Sequence, residues 1–196
     1  MAETAGARWQ KPYGPDGRNA RAGQPVAHLA WDDMEACARW KGSRLPTKAE
    51  GEFAAALAGK ERCNPQPRAK AANRRQGGFA LVSQASDAFK GVAPVGCVAP
   101  KAAGLYDRLG KVWQVTADDF RPDDDAAACN NPKRPSENDA YDLMNPVGPS
   151  RVMKRGSHPC AHKDRQRCRP QARQGRDPGL GVSPIGFRLV YDAPES

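Results

Sequence analysis

The chain has 196 residues, 39% of them hydrophobic, which is the length of one domain with a buried core. Its 31 lysines and arginines outnumber 22 acidic residues, for a formal charge of +9. The cations are spread along the chain, aromatics are only 7%, and no zinc-finger, RNA-recognition or phosphate-loop pattern occurs, so a basic soluble surface is expected rather than a nucleic-acid partner.

Residues 1–24 are rich in Gly, Arg and Pro, lack periodicity, and read as an irregular arm. Their opening, "MAETAGARWQK", has no apolar signal segment, and no apolar run anywhere reaches membrane-spanning length. A cytoplasmic protein without a membrane partner is therefore expected. "PVAHLAW" (25–31) alternates and predicts a short strand. "DDMEACARWKG" predicts a helix over 32–41, capped by Asp32 or Asp33 and followed by Gly42, with Met34, Cys37, Ala38 and Lys41 on one face. In "RLPTKAEGEFAAALAG", Thr47 and Glu50 have the spacing of a capping box. They predict a helix over 48–58 with Ala49, Phe53, Ala56 and Leu57 as its buried stripe. Gly51 costs that helix about 1 kcal/mol against Ala.

"GLYDRLGKVWQVT" (104–116) predicts a turn and then a strand packed through Val112 and Trp113. Residues 121–150 read as a polar loop. "RVMKRGS" and "IGFRLVYD" predict two further short strands. With 19 glycines and 18 prolines supplying turns, the sum is an irregular, loop-rich α+β domain of two main helices and short strands.

The six cysteines, Cys37, Cys63, Cys97, Cys129, Cys160 and Cys168, include no C-x-x-C pair, so reduced thiols are expected rather than a zinc ribbon. The stretch "RGSHPCAHKDRQRCRPQARQ" (155–174) gathers His158, Cys160, His162 and Cys168 among many cations. In extended backbone 158, 160 and 162 share one side, which suits a metal. The alternative is surface histidines around a single cysteine.

Four separated stretches, in order, carry a resemblance. They are "PVAHLAWDDMEACARWKGSRLPTKAEGEFAA", "ANRRQGGF", "APVGCVAPKAAGLYDRLGKVWQVTADDF" and "RVMKRGS…RPQARQ…IGFRLV". Together they resemble the formylglycine-generating enzyme family, the sulfatase-modifying factors. The resemblance implies a domain over 25–192, partial at its N-terminal side, with a fold distantly related to C-type lectins. It implies a monomer acting on a sulfatase-type peptide or another protein. The implied activity is copper(I)- and oxygen-dependent oxidation of the cysteine of a C-x-P-x-R peptide to formylglycine.

On that resemblance Cys160 falls on the first of two copper cysteines and Arg165 on the second. A guanidinium stays protonated and has no lone pair for a metal. Cys168 lies three residues further on. Ser157, Trp113 and Arg173 match family positions near the peptide and copper groove, while Gly51, Arg75, Gly78, Val115 and Pro184 depart from it. The implied oxidation is thus expected to be weak or lost, and a non-catalytic peptide- or protein-binding module on the same scaffold is the alternative. The resemblance also implies calcium, whose hard oxygen ligands would be Asn73 and Asp87 side chains with Arg74 and Phe89 carbonyls. A second, weaker calcium set is Asp107, Gly110, Val112 and Gln114, the last standing where the family has Glu. Cys37 matches a position that forms a disulfide in some members, but Leu189 stands at the other, so Cys37 is expected as a small buried hydrophobe.

Overall fold

The computed structural model describes residues 4–56, 73, 88–89, 91–97, 100, 104–107, 110–122, 136, 140–145, 148–154, 156–157, 172–183 and 185–193. In chain order the elements are helices α1 (Trp31–Trp40) and α2 (Lys48–Ala56), then strands β1 (Trp113–Asp119), β2 (Arg151–Lys154), β3 (Arg173–Arg176) and β4 (Ile185–Phe187). The strands form one mixed sheet in the order β3-β2-β1-β4, antiparallel except for the parallel pair β1–β4. This is the expected α+β domain with two helices and short strands.

α1 starts at Trp31, and its cap is Ala30 rather than Asp32 or Asp33. Asp33 contributes from inside the helix: its Oδ2 accepts the Ala30 N–H at 3.0 Å. The Trp31 N–H, an orphan of the first turn, donates to Pro178 O at 2.8 Å. Met34 and Ala38 are buried, Cys37 is half-buried and Lys41 exposed, so the apolar face is narrower than the sequence suggests.

α2 begins as its sequence predicts. Thr47 Oγ1 accepts the Glu50 N–H at 3.1 Å, and Glu50 Oε2 accepts the Thr47 N–H at 2.7 Å. The expected stripe is rotated, however. Ala49 is exposed and Phe53 is 66% exposed, while Gly51 and Ala55 are buried. The Ala56 side chain and Leu57 lie outside the described residues. The cause is what α2 docks on. Glu52 reaches Lys154 of β2 at 2.6 Å and the Lys48 N–H reaches the Asp118 carboxylate of β1, so α2 approaches the sheet through polar groups and small residues.

The expected strand over 25–31 does not form. His28 sits at φ 58, a left-handed conformation that breaks period-two alternation, and its Nε2 lies 3.1 Å from Pro12 O. Leu29 and Trp31 still pack against the core from irregular backbone and the first turn of α1. β3, "RQGR", has no apolar residue to mark it as a strand. Pairing alone defines it, with all four residues opposite β2. Its Gly175 is required by space, since a Cβ there would run into Asp142 and Phe120.

Met34, Ala38, Leu45, Trp113, Val115, Met153 and Ile185 form the core between α1 and the sheet. The alternate residues of β1, Gln114, Thr116 and Asp118, are just as buried and polar.

Candidate functional site

Two groups of polar residues hang from β1 and its neighbours. The first surrounds β2 and β3. Lys154 has a side chain only 1% exposed, and its Nζ meets Glu52 Oε1 at 2.6 Å. Thr116 Oγ1 donates to Val152 O at 3.1 Å. Ser157, three residues past Lys154, is buried. Arg173 donates from Nη2 to Pro122 O at 2.6 Å and from Nη1 to Arg121 O, with its guanidinium 5.4 Å from the Phe120 ring centre. It therefore fastens the chain leaving β1 to the edge strand. Trp113, which the strand pattern packs and the resemblance puts near the groove, lies in the hydrophobic core. Cys160, Arg165 and Cys168, with His158 and His162, lie outside the described residues.

The second group forms around the loop that leads into β1. Residues 107, 110 and 111 all have left-handed backbone, with φ of 54, 72 and 65 for Asp107, Gly110 and Lys111. With this backbone at both ends of the loop, Lys111 comes back onto Asp107. Their charged atoms lie 2.7 Å apart, with side chains 3% and 7% exposed. Asp107 Oδ1 makes this contact as an ion pair without an aligned hydrogen bond. Its Oδ2 accepts the Gly96 N–H at 2.7 Å. Lys111 Nζ also donates to Pro94 O and lies 3.7 Å from Cys97 Sγ.

β4 completes this group. Gly186 pairs with Gln114, which sets Arg188 above the same site. Arg188 donates from Nε to Gln114 Oε1 at 2.9 Å and from Nη2 to Tyr106 O and Asp107 O at 2.9 and 2.8 Å. Burial pushes the Arg188 guanidinium below its usual pKa, and the Asp107 charge opposes that shift. A cleft of about 410 Å³ opens here. Asp107, Lys111, Gln114 and Arg188 line it beside Val26 and Phe187.

The residues expected as calcium ligands are thus partly brought together. Asp107, Gly110, Val112 and Gln114 share one loop and strand end, and Asn73 joins them through a parallel bridge to Gly110 and the Lys111 N–H donated to its carbonyl at 2.9 Å. The Asn73 side chain faces the 91–93 backbone, donating to Gly91 O at 3.2 Å and accepting the Ala93 N–H at 3.0 Å. Phe89 is half-buried, and Arg74 and Asp87 lie outside the described residues. Among the described residues no group of three or more His, Cys, Asp or Glu converges on a point. Sequence reading missed Lys111, Arg188, Glu52 and Lys154. The available signal was Lys111 four residues after Asp107 in a loop held by Gly110.

Comparison with known proteins gives the family and the likeness of fold. The domain described as "Sulfatase-modifying factor enzyme 1-like domain" matches residues 1–193. The chain is 36% identical over 194 residues to the formylglycine-generating enzyme of Bos taurus, covering 95% of this chain and 49% of that protein. It is 39% identical over 119 residues to the inactive C-alpha-formylglycine-generating enzyme 2 of Mus musculus, covering 58% of this chain and 39% of that one. Among solved structures, PvdO from Pseudomonas aeruginosa matches with a TM-score of 0.64 at 24% identity, over 89% of this chain and 64% of that chain, which is a likeness of fold. The chain spans about half the length of the bovine relative.

Proposed function

The chain belongs to the sulfatase-modifying factor enzyme 1-like domain family, and on that premise we propose that it is a formylglycine-generating-type domain whose oxidation of a protein cysteine is weak or lost. What supports this reading is Arg165, which the family resemblance puts at the position of the second copper cysteine. In the family reaction copper(I), bound by two thiolates, supplies the oxygen chemistry that converts the substrate cysteine to formylglycine. One thiolate, Cys160, and one guanidinium do not make that donor set, because softness and a free lone pair are both required.

The residues that match the groove have framing roles in this reading. Trp113 anchors β1 in the core, and Arg173 ties 121–122 to β3. They would keep a peptide-sized surface in shape without supplying redox chemistry. Binding without turnover is therefore the second reading. The relatives it resembles include an inactive mouse protein, matched over 58% of this chain, as well as a formylglycine-generating enzyme, matched over 95% of it.

Copper(I) competition titration and turnover of a C-x-P-x-R peptide, for the parent and for Arg165→Cys, test the proposal. The parent is expected to bind copper(I) weakly and to make little formylglycine, and Arg165→Cys to bind it more tightly. Robust parent turnover that survives Cys160→Ala would show the site to be misplaced. Parent turnover lost on both Cys160→Ala and Cys168→Ala would make Cys168 the second ligand.

A further inference from the structure

We propose that the Lys111 ammonium takes the place of a metal ion in the 107–114 loop, so that a cation of the chain itself holds this node and calcium does not enter it. The proposal goes beyond the copper reading and involves neither Cys160 nor Arg165.

The side-chain oxygens that a calcium ion would need here are already committed. Calcium takes six to eight oxygens. Asp107 gives Oδ1 to Lys111 Nζ at 2.7 Å and Oδ2 to the Gly96 N–H at 2.7 Å. Gln114 gives Oε1 to Arg188 Nε at 2.9 Å, and Arg188 Nη2 takes the Asp107 carbonyl at 2.8 Å. Two cations of the chain occupy this node, Lys111 on the Asp107 carboxylate and Arg188 on the Asp107 carbonyl, so a divalent ion would meet like charge in a poorly hydrated place, where repulsion is screened least.

Lys111 is also placed to do what a structural ion does. Its ammonium has three N–H groups and three neighbours with lone pairs: Asp107 Oδ1, Pro94 O and Cys97 Sγ at 3.7 Å. These neighbours come from two separate segments, 94–97 and 107, and the Lys111 backbone N–H adds a third by donating to Asn73 O. The left-handed backbone of Lys111, φ 65, is uncommon for a residue with a side chain, and the inward ion pair accounts for its retention. A lysine reaching out to solvent would need neither the burial nor the turn.

The test compares thermal midpoints in calcium and in chelator, on an Asp87→Ala background so that no response arises from the Asn73 set. The background chain is expected to unfold at the same temperature in both. Lys111→Asn is expected to lower the midpoint in chelator by on the order of 10 °C, since it strands a buried carboxylate. Lys111→Asn with Gln114→Glu is expected to gain a calcium-dependent rise on the order of 5 °C, because an all-oxygen set without the ammonium binds the native state. Three results would overturn the proposal: a calcium response of the background chain that Asp107→Asn abolishes, an unchanged midpoint for Lys111→Asn in chelator, or no calcium response in the double variant. Should Lys111→Asn fail to fold, equilibrium dialysis of calcium decides. Equal binding by the parent and Asp107→Asn supports the proposal, and an ion present in the parent but lost with Asp107→Asn overturns it.

Discussion

The two faces of β1 are buried to the same degree and held by different physics. On one face Trp113 and Val115 close on Met34, Ala38, Leu45, Met153 and Ile185. That attraction has no direction and depends mainly on area and fit. On the other face Gln114, Thr116 and Asp118 are 5%, 2% and 7% exposed, and each is committed to a named atom elsewhere in the chain: Gln114 to Arg188 just past β4, Thr116 to Val152, Asp118 to Lys48. A buried polar group costs stability wherever a partner is lost, so the second face fixes positions where the first fixes compactness. Gln114 and Val115 are successive residues on opposite faces, and both are buried. Val115 packs in the core, whereas Gln114 accepts from Arg188 beside the Lys111–Asp107 pair.

The largest effect should come from the apolar face. Trp113→Ala is expected to cost about 3–5 kcal/mol in urea unfolding, the usual range for a buried aromatic truncated to Ala. The loss should be independent of copper and peptide, since Trp113 lies in the core. A cost under about 1 kcal/mol would mean that this face does not hold the sheet to α1.

The polar face should give a smaller effect with a different signature. Glu52→Ala removes the carboxylate that meets Lys154 and leaves the ammonium in a place 1% exposed. A fully buried pair broken this way costs about 3–5 kcal/mol. Glu52 is 35% exposed, which lowers the expectation to about 2 kcal/mol. Lys154→Met should cost less than Glu52→Ala, because it removes the buried charge itself. The reverse order, measured by the same unfolding curves, would show that Lys154 is held mainly by something other than Glu52.

A half-exposed node sharpens the contrast. Hydrogen bonds from Arg44 hold the Glu50 carboxyl at about 2, below its ordinary 4.5, with the Thr47 N–H assisting and partial burial opposing. The folded pKa is lowered, so this group's contribution is complete above 4.5 and is lost as pH falls through about 2. Glu50→Gln should remove that part of the acid sensitivity and cost about 1 kcal/mol at neutral pH, the value of a helix cap. Salt should weaken the wild-type advantage, since both side chains of the pair are more than a third exposed. If the parent and Glu50→Gln lose stability in parallel between pH 4.5 and 2, the carboxylate is not what titrates there.

What could be read from the sequence follows the same division. The Thr47–Glu50 box is local and was legible, as were β1, β2 and β4, whose Val, Trp, Met, Ile and Phe residues mark strands without reference to anything distant. β3 was not legible, because "RQGR" becomes a strand only by lying beside β2. At the site, the positions of Asp107, Gly110 and Gln114 could be taken from the resemblance, but their partners could not. The Lys111–Asp107 pair goes with left-handed backbone at Asp107, Gly110 and Lys111, and Arg188 arrives through the β1–β4 register. A sequence pattern carries periodicity and caps, and contains neither of those placements.

The smallest expected effect tests the one helix face that the sequence pattern misplaced. Phe53 is the largest apolar residue of α2, and helical spacing from Ala49 would bury both. In the structure Ala49 is exposed and Phe53 is 66% exposed, while Gly51 and Ala55 face inward and Glu52 reaches Lys154. The polar face of β1 and β2 accounts for this rotation, since turning Phe53 inward would carry Glu52 away from the ammonium it meets. Phe53→Ala should therefore change stability by no more than about 0.5 kcal/mol, as exposed substitutions do. Ala55→Asp should cost several-fold more, because it places a charge in a buried position without a partner. If Phe53→Ala cost about 3 kcal/mol or more, as truncation of a buried Phe does, α2 would be packing through its apolar stripe. The Glu52–Lys154 pair, and with it the contrast between the two faces of β1, would then be wrong.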